Sequence, residues 1–155
     1  MLNRKYSAMI SLVICFLASA LLIVWIFTFP RFFNWFYVIY HGMSDASVRT
    51  QAVIRLVVPT FYWCAPFAGV SLYLLIRLLL NIINDKVYIT RNVTYLRFIS
   101  YCCYACFVIT LITGIKYFPL FIIAFAMVVV GTLLRVVKNI MQSAVEIKEE
   151  NDLTV

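Results

Sequence analysis

Chemistry in this chain would have to come from five cysteines, a single histidine and six carboxylates. The thiols are Cys15, Cys64, Cys102, Cys103 and Cys106, and each lies in an apolar stretch. Cys102 and Cys106 share one helical face at i, i+4, but no C-x-x-C pair occurs, so the spacing favours packing over thiol exchange. His41 has only Asp45 as an acidic neighbour in its segment, which falls short of a zinc or haem site. The Ser/His/Asp set, the glycine loop that cradles phosphate and the carboxylate pair all lack their residues. The expectation is a protein without a catalytic, metal or cofactor site, and so not an enzyme.

The ionic side chains gather instead in two segments suited to docking. The first, 81–97, carries Asp85, Lys86, Arg91, Asn92 and Arg97. Within it Thr90 is placed to N-cap a helix whose Val93 and Leu96 lead into an apolar run. Asn92 to Thr94 forms an N-x-T triplet, discounted because the segment falls on the predicted cytoplasmic side. The second segment follows Leu134. Val136, Val137, Ile140, Met141, Ala144 and Ile147 recur there at helical spacing, with Arg135, Lys138, Glu146, Glu149, Glu150 and Asp152 around and beyond them. One helix from Tyr117 to Glu150 would be about 50 Å long, enough to stand clear of a bilayer. Its apolar stripe suits burial against a partner.

A membrane positions both segments. Of 155 residues, 65% are apolar and 12% charged, with a mean hydropathy of +1.00; water-soluble domains have roughly 45–50% and 25%. A soluble globule and a disordered tail are both excluded. Four stretches meet the requirement of about 20 apolar residues for a span, namely 7–29, 56–80, 98–115 and 117–134. A bend is expected at Pro59 and Pro66, and a tight turn around Gly114, Lys116 and Pro119 joins the last two spans. Ala18, Ser19 and Ala20 follow Arg4 and Lys5 as a cleavage site would. The apolar run continues to Phe27, too long for a signal peptide, so an uncleaved span is expected. Pro30 then opens a segment rich in rings (Phe32, Phe33, Trp35, Phe36, Tyr37, Tyr40), expected as an interfacial anchor or half-buried helix. Ser44 or Asp45 is placed to cap the helix after it.

Orientation follows from lysine and arginine. With both ends inside, Arg4, Lys5, Arg77, Lys86, Arg91, Arg97, Arg135, Lys138 and Lys148 face the cytoplasm, and only Arg31, Arg49, Arg55 and Lys116 face outward. Topology thereby accounts for the net charge of +7 without direct nucleic acid binding, and anionic headgroups are the natural contact. No Asp, Glu or His falls within a span, which argues against a proton-coupled exporter. The expected fold class is all-α: an integral membrane four-helix bundle, one domain over 1–155, N- and C-termini cytoplasmic, with the fourth helix extended into the cytoplasm over 135–150.

Two runs carry a family likeness. Asn92, Val93, Tyr95, Leu96, Arg97, Ile99, Ser100, Cys102 and Cys103 form the first. Leu134 to Asn139 with Glu146, Lys148, Glu149, Glu150, Asn151, Asp152, Leu153 and Thr154 form the second. Together they resemble domain-of-unknown-function family 2975, small four-span bacterial membrane proteins. The resemblance implies the plasma membrane of a Gram-positive type of bacterium and a gene neighbour encoding a small helix-turn-helix regulator. It brings no catalytic residues. The expected function is a sensing or regulatory partner of that cytoplasmic regulator. The rival expectation is a small transport or lipid-handling protein, open to forming oligomers, with a pocket of aromatics and Ser71, Thr110 and Thr113. An accessory subunit of a membrane complex is a third.

Overall fold

Inside a bilayer each backbone N–H and C=O must be satisfied within its own segment, so apolar runs of this length become helices. The computed structural model describes residues 2–41 and 46–153. It holds four helices, α1 (Leu2–His41), α2 (Ala46–Ile83), α3 (Thr90–Gly114) and α4 (Phe118–Leu153), and no strand among the described residues. Each is long and apolar enough to cross a membrane. At 40, 38 and 36 residues, α1, α2 and α4 run well past the length a bilayer needs.

The helices form an up-down bundle packed in chain order: α1 on α2, α2 on α3 and α3 on α4, with no other pair meeting among the described residues. This leaves a large surface. The chain exposes 11004 Å², against about 8,000 Å² for a water-soluble monomer of its mass. Large apolar side chains stand open along α1, among them Ile10, Leu17, Val24 and Phe27.

Side-chain contacts fix the register. Phe29 stacks on Phe61 with ring centres 4.2 Å apart, and Lys5 Nζ reaches Asp85 at 2.7 Å. Between α2 and α3, Thr60 meets Thr113 at 3.0 Å and Asn81 meets Asn92 at 2.7 Å. Tyr104 and Thr132 hydroxyls lie 3.3 Å apart between α3 and α4, and Thr90 reaches Glu149 at 3.5 Å. The start of α1, the α2–α3 loop and the end of α4 therefore share one end of the bundle. Small residues let α3 and α4 approach closely. A Cβ on Gly131 would sit 3.2 Å from the Tyr104 ring, and one on Gly114 would sit 3.0 Å from the Phe121 backbone nitrogen.

Two local expectations need correction. α1 does not stop at Pro30; it continues through it to His41, so the aromatic segment is the upper part of α1 rather than a separate helix. The carbonyl of Ile26, which Pro30 cannot serve, accepts instead from Tyr62 Oη of α2 at 2.8 Å. Thr90 is the first residue of α3 rather than its cap: Ile89 occupies the cap position, and no side chain caps the helix there. Pro59 and Pro66, where a bend is expected, both lie inside α2. The caps expected at Ser44 or Asp45 lie outside the described residues.

Candidate docking face

The α2–α3 loop begins with a tight helix ending. Lys86 N bonds to Asn81 O (2.9 Å) and Asp85 N to Ile82 O (3.2 Å), the paired bonds of a Schellman ending. The residue between them must take a left-handed backbone, and Asp85 does so at φ 60°, a position where glycine is favoured. In return its carboxylate is held out toward α1, where Lys5 pairs with it. Both partners are more than half exposed, so the pair contributes at most about 1 kcal/mol; its effect is to join α1 to the loop.

Asn92 closes the loop from beneath. Its Nδ2 donates to Lys86 O and Val87 O, each at 2.8 Å, and its Oδ1 accepts from Asn81 Nδ2 at 2.7 Å. The side chain is fully buried. Sequence reading places Asn92 among the docking residues; the structure makes it the brace of the loop, with no surface to offer a partner. Asn81, which completes the brace, and Lys5, which pairs with Asp85, escape a reading by residue type, because each acts across a helix boundary.

The remaining candidates do come together at this end. Asp85, Lys86 and Arg91 are exposed on the loop and the first turn of α3, and Glu146, Glu149 and Glu150 are exposed on the last turns of α4. Thr90 ties the two groups through Glu149, and Gln142 Nε2 donates to Glu146 at 3.0 Å. Arg97 and Arg135 are exposed and Lys138 is half-buried, all three deeper along the bundle. Asp152 belongs to α4, and its side chain lies outside the described set. Both signs of charge thus meet at this end of the bundle, Asp85 beside Lys86 and Arg91 on the loop side and Lys148 among Glu146, Glu149 and Glu150 on α4.

The hydroxyls expected to line a pocket lie within the bundle. Thr110 Oγ1 is turned back onto Cys106 O at 2.7 Å, and Thr113 onto Ile109 O at 3.0 Å. A shallow groove of about 530 Å³ lies on α2, lined by Val58, Pro59, Tyr62, Trp63 and Pro66, with none of the three expected hydroxyls. Cys106 lies against α2, its Sγ 3.9 Å from Cys64 O, and all five thiols are free. Among the described residues no three His, Cys, Asp or Glu side chains gather as metal ligands would.

No curated protein and no solved structure matches the chain. Residues 33–155 match one family over the last turns of α1 and all of α2, α3 and α4, so both runs that carry the likeness fall inside the match and the span 7–29 falls outside it. The chain is a multi-pass helical membrane protein that belongs to the family described as protein of unknown function DUF2975.

Proposed function

We propose that this protein is a non-enzymatic sensing or regulatory partner of a cytoplasmic helix-turn-helix regulator, held at the bacterial plasma membrane with its loop end inward. One observation carries the reading: the start of α1, the α2–α3 loop and the end of α4 converge at one end of the bundle and present Lys86, Arg91, Glu146 and Glu149 together. Inward placement of that end follows from the basic residues it holds. The nature of the partner follows from the family resemblance. A surface with both signs of charge selects a partner by complementarity and repels mismatched ones.

Cross-linking in native membranes followed by pull-down tests this. Recovery of a small helix-turn-helix protein with the wild-type chain is expected. Reversing Lys86, Arg91, Glu146 and Glu149 together should lower recovery roughly tenfold or more while leaving the helices intact. Unchanged recovery with the reversed chain, or with residues 135–155 removed, would sink the docking reading.

A further inference from the structure

We propose that Arg97 and Arg135 form a binding site for the phosphate of an anionic glycerophospholipid, set between α3 and α4 at the bilayer surface. Both arginines lie deeper along the bundle than Lys86, Arg91, Glu146 and Glu149, which carry the protein-docking reading.

Depth comes first. The stretch of α2 between Arg55 and Arg77 carries no charge and covers about 33 Å, one hydrocarbon thickness. The Asn81–Asn92 bond sets Arg77 beside the turn of α3 that holds Arg97. The Tyr104–Thr132 contact sets Arg97 and Arg135 within about one turn of each other along the α3–α4 seam. All three arginines therefore lie at one membrane surface.

The Arg135 guanidinium sits over the Tyr104 ring at 5.9 Å, and the Tyr104 hydroxyl is steadied by Thr132. Arg97 is two turns from Tyr104 and one from Tyr101 on α3, so it projects on the same side of the seam. Neither guanidinium has a carboxylate within 4.0 Å among the described residues. The carboxylate of Glu146 is bonded to Gln142, about 16 Å along α4 from Arg135. Arg77 repeats the pattern, its guanidinium 5.8 Å over the Tyr73 ring.

Two cations at a low-dielectric boundary, Arg135 held over a ring and neither with an acidic partner among the described residues, call for an anion, and the planar fork of arginine matches phosphate oxygens in pairs. A lipid fits the surroundings better than a soluble anion. Below the guanidiniums, Tyr101, Val108 and Ile112 form one exposed apolar stripe down α3 that an acyl chain can follow. Ring hydroxyls at this depth suit the glycerol and ester zone.

The test uses the full chain in nanodiscs made from equal parts of phosphatidylglycerol and phosphatidylcholine, with retained lipids read by native mass spectrometry. The wild type should retain phosphatidylglycerol preferentially. R97Q and R135Q should each cut that preference about fivefold, and K86Q/R91Q should leave it unchanged. R97K/R135K keeps the charge while losing the fork, so its preference should fall between wild type and R97Q/R135Q. Equal retention of the two lipids by the wild type would overturn the proposal, as would full preference in R97Q/R135Q. Displacement of the lipid by millimolar inorganic phosphate would also overturn it, by showing a soluble-anion site instead.

Discussion

Tyr62 shows how a single hydroxyl makes a proline tolerable inside a span. Any other residue at position 30 would donate its N–H to Ile26 O; Pro30 cannot, and a bare carbonyl in hydrocarbon costs roughly 1–3 kcal/mol. Tyr62 Oη fills the gap at 2.8 Å, so the proline has turned a bond within α1 into a bond between α1 and α2. The expected outcome is non-additive. Tyr62→Phe should lower stability by about 1–2 kcal/mol in reversible detergent unfolding, above the ~0.6 kcal/mol mean for membrane hydrogen bonds, because it orphans the carbonyl. In a Pro30→Ala background the same change should cost less than about 0.5 kcal/mol, since the introduced alanine would supply its own N–H. Equal costs in both backgrounds would show that the hydroxyl and the proline are uncoupled. Asn92 obeys the same accounting with three bonds in place of one.

At the scale of elements, the α3–α4 hairpin is the tightest contact, and two glycines set its spacing. A methyl group on Gly114 would meet backbone, at 3.0 and 3.2 Å from Phe121 N and Cα, with no flexible side chain to yield. Gly114→Ala should therefore destabilise the chain by about 1–3 kcal/mol in the same unfolding assay; a neutral result would mean that the two helices are free to separate at the turn. The helices themselves were legible in the sequence, because uncharged runs of this length have no other way to satisfy their peptide groups. Which helix meets which was not. α1 is apolar on every side, so its pattern gave no hint of which strip is covered, the one that includes Ala8, Cys15, Leu22, Ile26 and Phe29. The candidate face was legible as charge but not as geometry. Exposed residues such as Lys86 and Glu149 could be found by type alone, whereas Asn92 is buried in bonds to Asn81, eleven residues away, and to the carbonyls of the loop between them. Pro30 misled for a similar reason: a proline marks a helix end only when no neighbouring helix supplies the missing donor.

At the scale of the whole molecule, a chain that packs each helix only on its sequence neighbours depends on lipid to cover the rest. That dependence ties the fold to one topology: four crossings return α4 to the side on which α1 began, and the bonds from Lys5 to Asp85 and from Thr90 to Glu149 hold all three segments at that side. Nine of the 13 basic residues belong to it, which is the ground for the inward orientation proposed above. Single cysteines placed at Lys86, Glu149 and Lys116, in a chain whose five native cysteines are replaced by alanine, read both properties at once. With a thiol reagent that cannot cross membranes, Lys116→Cys should be modified in intact cells, while Lys86→Cys and Glu149→Cys should react only after permeabilisation. If the latter two fell on opposite sides, the bundle itself would be wrong, since the α2–α3 loop and the end of α4 could not then touch. If both reacted in intact cells, the bundle would stand, but its docking face would point away from any cytoplasmic regulator. The lipid site at Arg97 and Arg135 would survive that second outcome, because it requires only a membrane surface at the depth of those arginines.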